Sequence, residues 1–213
     1  FLYDPDDFFR ENIGRVSGAQ YLAGCHRPAE RGAGHATDQL LRVLERLAVF
    51  EADPQPRLVL EGIAASDRVA LHPGSGSERK NWPERNWREL IDRLAGGRGL
   101  RLLLVGGEAE GERLSRLSAG LPGGRVEVLR SGPLPEVARR LAGCRGFIGH
   151  DSGISHLAAA VGLPGLVLWG PTTRDVWQPR SPRVRILESG PDLASLEPPM
   201  VFEALEVVGW VDG

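Results

Sequence analysis

The chain has 213 residues, 41% hydrophobic, 25% charged and only 6% aromatic, with 28 glycines and 16 prolines, an ordinary globular composition that excludes a fibrous or disordered protein. Its formal charge of -2 excludes a general electrostatic pull toward nucleic acid or an anionic membrane, so any anion site must be local. Cys25 and Cys144 stand outside any CxxC or Cys/His cluster, which argues against a disulfide framework or a structural zinc and for a reducing compartment.

Taken in order from Phe1, the pattern predicts a polar helix near Asp6 to Val16, a short strand at Tyr21 to Cys25 and a charge-punctuated helix from about Ala36 to Leu47. Glu51-Ala52-Asp53-Pro54-Gln55-Pro56 is the natural boundary, because two prolines and two acids disfavour both helix and central strand. From Leu58 to Leu187 short apolar runs alternate with amphipathic stretches, the signature of βα units around a parallel sheet. The expected strands are Val69 to His72, Arg101 to Val105, Val126 to Leu129, Gly146 to Gly149 and Gly165 to Trp169. Between them lie helices opening near Pro83 and closed by Gly96, Gly97 and Gly99, then at about Glu110 to Ala119, Leu134 to Ala142 and Ile154 to Val161. Four or five parallel strands with crossover helices make a doubly wound α/β layer. A terminal helix is expected at Met200 to Val208. The longest apolar runs, such as Leu163 to Trp169, are too short to cross a bilayer and no signal-peptide pattern opens the chain, so it reads as soluble and cytosolic.

Ligands of open α/β sheets bind beyond the carboxyl ends of the strands, and here the loops at those ends are polar and glycine-rich. Gly74-Ser75-Gly76-Ser77 with Lys80 offers close backbone approach, hydroxyls and a cation, which suit a phosphate; the same residues also suit a plain turn with a solvated lysine. Glu108 follows its strand where a carboxylate can accept from a ribose diol, although Glu108, Glu110 and Glu112 all also suit the dipole at a helix start. In Gly149-His150-Asp151-Ser152-Gly153-Ile154-Ser155-His156, Asp151 or Ser152 can cap the next helix while its N–H groups and Gly153 form an anion cradle. His156 would stand one turn inside, as a ligand group or as a satisfied core histidine. Trp169-Gly170-Pro171-Thr172-Thr173 adds a further glycine turn with two hydroxyls. No GxSxG elbow, HExxH or EF-hand loop is present, and tryptophans at helix-facing spacing read as core rather than as stacking platforms.

In combination, His72-Pro73-Gly74-Ser75-Gly76-Ser77, Lys80-Asn81-Trp82-Pro83, Val105-Gly106-Gly107-Glu108, Asp151-Ser152-Gly153-Ile154-Ser155-His156-Leu157-Ala158-Ala159-Ala160 and Gly170-Pro171-Thr172 resemble glycosyltransferase family 9, the ADP-heptose:lipopolysaccharide heptosyltransferases and their relatives. The resemblance covers about 58–187, and the preceding stretch, with His35-Ala36-Thr37-Asp38-Gln39, resembles the last part of that family's N-terminal domain. It implies a GT-B fold of two Rossmann-like domains: residues 1–57 a remnant of the acceptor-side domain and linker, 58–190 the nucleotide-sugar-binding domain, 191–213 a C-terminal helical segment. By match, Lys80 with Ser75 and Gly76 would meet the diphosphate, Glu108 the ribose or adenine side, and Asp151, Ser152, Gly153 and His156 the diphosphate and sugar.

The reaction the resemblance implies is an inverting single displacement onto a lipopolysaccharide core acceptor. The ADP-sugar is the substrate, with no cofactor and no metal. Localisation would be cytoplasmic, with contact at the inner face of the inner membrane, and nucleic acid is not a partner. The family's general base is an aspartate on a glycine-rich loop near the start of the N-terminal domain. Nothing in residues 1–58 matches that loop, so no catalytic residue is named. The alternatives are a noncatalytic nucleotide-sugar-binding module and, fitting the loops less well, a sugar-nucleotide epimerase.

Overall fold

The computed structural model describes residues 7–25, 27–97, 100–122, 124–188, 190 and 192–207. Two compact units divide the chain: Phe1–Gln55 with Thr173–Trp177, and Pro56–Thr172 with Gln178–Gly213.

The smaller unit holds helix α1 (Phe8–Val16), which buries no residue, and helix α2 (Ala36–Leu41), which passes into a 3₁₀ turn at Arg42–Leu47. Tyr21 to Cys25 does not form the expected strand: among the described residues only an isolated bridge at Ala23 is present, and Gly18 and Gly24 weaken extended pairing at either end. His35 caps α2, its Nδ1 accepting from the Thr37 N–H at 3.2 Å. Buried Gln39 organises the preceding loop: its amide nitrogen donates to the carbonyls of Ala29 and Gly34, and its oxygen accepts from the Ala29 N–H at 2.7 Å.

The larger unit is a six-stranded parallel sheet in the order β3-β2-β1-β4-β5-β6: β1 (Arg68–His72), β2 (Arg101–Gly106), β3 (Val126–Arg130), β4 (Gly146–His150), β5 (Gly165–Trp169) and β6 (Val184–Glu188). Five follow the sequence expectation within a residue or so, and β6 is an addition. The helices are α3 (Glu84–Gly97), α4 (Gly111–Ser118), α5 (Leu134–Ala142), α6 (Gly153–Ala160) and, after the short α7 (Arg174–Trp177) of the other unit, α8 (Pro198–Val207). Asp6, Gly99 and Val208, expected at helix ends, and Trp210 lie outside the described residues.

The inner strands read as largely apolar runs because helices cover both faces, and successive side chains alternate between them. Val69, Leu71, Leu102 and Leu104 enter one core with Trp87, Leu90 and Ile91 of α3, Leu114 of α4 and Leu205 of α8. Ala70, Leu103, Val105 and Phe147 enter the other with Val137 and Leu141 of α5 and Ala158 of α6. In-register pairs such as Ala70↔Leu103 and Ala70↔Phe147 keep each face continuous. Each such fully buried aliphatic side chain contributes about 1.5–3 kcal/mol relative to exposure, and this anchors the strand ends that carry the polar loops. β1 and β4 are neighbours although two strands separate them in sequence, so the chain winds outward in both directions from that seam. The crevice beyond their carboxyl ends is the topological switch point where such sheets take ligands.

Candidate functional site

At the end of β1 the chain enters Pro73-Gly74-Ser75-Gly76. Gly76 has φ +71, a left-handed conformation that glycine adopts without steric penalty. Gly74 is forced by packing: a Cβ there would lie 2.2 Å from Cγ of Glu110. The loop is pinned from below by His150, the fully buried last residue of β4. Its Nε2 accepts from the Trp82 backbone N–H at 2.9 Å and from Trp87 Nε1–H at 3.2 Å. The ring proton therefore sits on Nδ1, which donates to the Gly74 carbonyl at 3.3 Å, and burial pushes the pKa down to about 3. His72, also buried, donates from Nδ1 to the Val105 carbonyl at 2.9 Å, and burial lowers its pKa as well.

Beside this loop three strand ends converge. Lys80, in a 3₁₀ turn at Glu78–Lys80, places Nζ 2.8 Å from Oδ2 of Asp151 after β4, and the Thr172 hydroxyl after β5 donates to the same oxygen at 2.8 Å. Asp151 is nearly buried, its side chain 10% exposed against 31% for Lys80, so the pair is sheltered from solvent screening while the ammonium keeps a face toward water. Ser152 caps α6, accepting from the Ser155 N–H at 3.4 Å, and the Ser155 hydroxyl donates to the His150 carbonyl. Asp151, which holds the cation, immediately precedes the cap of α6, so the helix start and the Lys80 ammonium both meet the loop that follows β4, each a source of positive potential.

Ser75, Ser152, Gly153 and His156 line a single cavity of about 660 Å³, whose apolar wall includes Leu58, Leu134, Ile154 and Leu157. The Ser75 hydroxyl lies 2.8 Å from Asn81 Oδ1 and 2.9 Å from the Ser77 carbonyl oxygen, either of which can accept its hydrogen bond. The cavity's size and its apolar wall with a few convergent polar groups are those of a small-molecule site. Glu108 stands apart, exposed beyond β2. The carboxylate turned into the loops is that of Glu110, which accepts from the Gly107 N–H at 2.9 Å and the Gly76 N–H at 3.3 Å. Arg113 of α4 completes the clasp, donating to the Pro73 carbonyl at 3.2 Å and to both oxygens of Glu78.

The sequence reading names His72, which lines the same cavity, and Thr172 within the motifs of the resemblance and as a turn hydroxyl, and Glu110 as a helix-start acid, without assigning any of them to the site; Arg113 it does not single out. Trp82, Trp87 and Trp169 are core, as their helix-facing or strand positions suggested. Trp82 and Trp87 pack edge to face with centroids 5.4 Å apart. Trp82 Nε1 donates to the Leu196 carbonyl at 2.6 Å, which Asn86 Nδ2 also reaches at 3.3 Å. Among the described residues no group of three or more His, Cys, Asp or Glu could hold a metal ion, and no helix is long and apolar enough to cross a membrane.

The family model for glycosyltransferase family 9 (heptosyltransferase) matches residues 38–197. The chain is 48% identical over 112 residues to lipopolysaccharide heptosyltransferase 1 of Salmonella typhimurium, covering 51% of this chain and 34% of that protein. It is 41% identical over 130 residues to lipopolysaccharide heptosyltransferase 1 of Pseudomonas aeruginosa, covering 61% and 33%. The chain spans about a third of the length of the curated relatives it matches. Among solved structures, E. coli heptosyltransferase WaaC with ADP-2-deoxy-2-fluoro heptose superposes with TM-score 0.66 at 28% identity, covering 85% of this chain and 58% of that one. A Veillonella parvula glycosyl transferase of family 9 superposes with TM-score 0.72 over 85% and 62% of the two chains; at 19% identity that likeness speaks for the fold alone.

Proposed function

The chain belongs to glycosyltransferase family 9, and from that premise we propose that its larger unit is the donor half of an enzyme moving heptose from ADP-heptose to a lipopolysaccharide core acceptor. The observation that carries this reading is the convergence of Lys80, Asp151, Thr172 and the capped start of α6 beside a cavity at the switch point. A nucleoside diphosphate brings charge that such a corner can take. The α6 amides and the Lys80 ammonium offer positive potential where negative charge grows on the departing ADP, so they stabilise the transition state more than the ground state. Ser75 and Gly76 supply a hydroxyl and a close backbone beside the phosphates. Ser152 and Gly153 form the helix start that faces them.

Asp151 orients Lys80 and, with His156, meets the sugar. Glu108 is assigned to the ribose or adenine side, with Glu110 the better-placed carboxylate of that corner. The acceptor hydroxyl attacks the anomeric carbon from the face opposite ADP, which inverts the configuration in one displacement. Its proton goes to a base outside the residues assigned here. With lysine and helix amides as the electrophilic partners, the scheme calls for no metal and no cofactor. The reaction is placed at the cytoplasmic face of the inner membrane, where a nucleotide sugar and a lipid-linked acceptor meet.

Calorimetric titration with ADP, with UDP as control, tests the donor assignment. Lys80→Ala removes a charge-assisted contact to phosphate, so ADP affinity should fall about tenfold or more. Asp151 keeps the Thr172 hydroxyl in that variant but loses its cation in a nearly buried setting, so stability should fall by about 1–3 kcal/mol. A folded Lys80→Ala protein that binds ADP as the parent does would overturn the assignment.

A further inference from the structure

The opposite edge of the sheet carries a second polar concavity. Where the strands begin, Arg68 of β1 and Glu127 of β3 join Arg139 and Arg140 of α5, with Ser66 and Cys144, around a cavity of about 350 Å³. Arg68 Nε lies 3.3 Å from Glu127 Oε2, and Arg140 pairs with the other oxygen of the same carboxylate. The Arg139 guanidinium donates to the Glu61 carbonyl at a long 3.5 Å. Glu127 is therefore shared between two guanidinium groups while the third, that of Arg139, lines the same cavity; all three stay charged at any relevant pH, so the cavity lining carries two more positive charges than negative ones. That excess is local, since the whole chain carries a charge of -2.

Crowded like charges in a partly sheltered setting repel, and a bound counter-ion relieves that repulsion. The groups are also partly sheltered: the side chains of Arg68 and Arg140 are 29% and 36% exposed. One wall is unyielding, since a Cβ on Gly143 would meet the Ala64 carbonyl oxygen at 2.9 Å. Burial pushes the Cys144 thiol up to about 11, while Arg140 and Arg68 pull it the other way, which places that thiol in the same positive field.

We propose that this arginine-lined cavity binds a phosphate-type dianion, at the sheet edge opposite the switch-point crevice. The planar forks of guanidinium groups suit the tetrahedral oxygens of a phosphate or phosphoester through paired N–H contacts. Free phosphate or pyrophosphate and the phosphate of a lipid headgroup share that chemistry. The inference does not depend on the reaction assigned above.

The test uses the full chain with Lys80→Ala, which silences the cation at the other edge, at constant ionic strength in chloride. Inorganic phosphate and pyrophosphate are titrated by calorimetry. In a second arm, co-sedimentation is measured with phosphatidylcholine vesicles with and without phosphatidylglycerol. Binding in the parent that weakens about tenfold or more in Arg139→Ser/Arg140→Gln is expected, since each lost contact involves a charged donor. Loss confined to the soluble anions identifies a free ligand, and loss confined to the anionic vesicles identifies a headgroup. Arg139→Ser alone, at an exposed position with one weak contact, serves if the double variant fails to fold. No binding in either arm, or equal binding by parent and variant, would overturn the proposal.

Discussion

Replacing His150 by glutamine is expected to flatten the chain's loss of stability on mild acidification. In the folded protein the ring is fully buried, takes two N–H donors on Nε2 and gives its one proton to the Gly74 carbonyl. A proton on Nε2 would set N–H against N–H, and burial already pushes the pKa from 6.5 down to about 3. The unfolded chain keeps the ordinary value, so below it the unfolded state binds a proton that the native state refuses. The stabilisation is complete above about pH 6.5 and declines as pH falls toward 3, by about 1.4 kcal/mol per pH unit. Between pH 6.5 and 5 this amounts to about 2 kcal/mol.

His72 is depressed for the same reason and adds a slope of the same sign, which His150→Gln retains. The lowered carboxyls of Asp67, Glu78 and Glu84 titrate below this window. Urea unfolding followed by tryptophan emission reads the effect directly, since Trp87 stacks edge-on to the ring at 5.3 Å. His150→Gln should lower stability at neutral pH by about 1–3 kcal/mol for each buried partner it leaves unpaired, and its pH slope should be shallower by one proton's worth. Equal slopes in parent and variant would refute the assignment of a neutral, buried ring.

Gly74→Ala should destabilise by about 1–3 kcal/mol, because the new methyl displaces Glu110 and with it the carboxylate held by Gly76 and Gly107. The same substitution in a Glu110→Ala background should have little further effect, and additive losses in denaturant unfolding would show that the two positions are uncoupled. Ser152→Ala removes the cap of α6 and should cost about 0.5–1 kcal/mol, at the low end because the capping contact is long, 3.4 Å; a melting temperature equal to the parent's would show that the cap contributes nothing.

How much of this is legible in the sequence depends on whether an element is fixed locally. Leu102-Leu103-Leu104-Val105 and Leu166-Val167-Leu168 announce strands because burial on both faces leaves no polar residue. Val184-Arg185-Ile186-Leu187-Glu188 does not: β6 has one neighbour, its burial is partial, and its charges look like those of a loop. The two clusters of the site differ in the same way. Ser152 is readable as a cap from the helix it precedes, whereas Glu108 and Glu110 are interchangeable by position. Only the fold of Glu110 back over Gly74, across 36 residues of chain, separates them. His150 is bracketed by Gly149 and Asp151 and so groups with the polar loop in sequence. Its Trp82 and Trp87 partners, 68 and 63 residues away, make it part of the core.

The carbonyl of Leu196 receives Trp82 and Asn86 from 114 and 110 residues earlier, and Leu193 beside it presses on Gly170, where a Cβ would meet its Cγ at 3.1 Å. The glycine loop is therefore not a portable cassette. A chimaera that borrowed residues 72–97 from a relative while keeping its own ending would join two halves of a lock cut for different keys. Recombination within the family, in the laboratory or in evolution, is freest where a crossover carries the loop and residues 193–205 together.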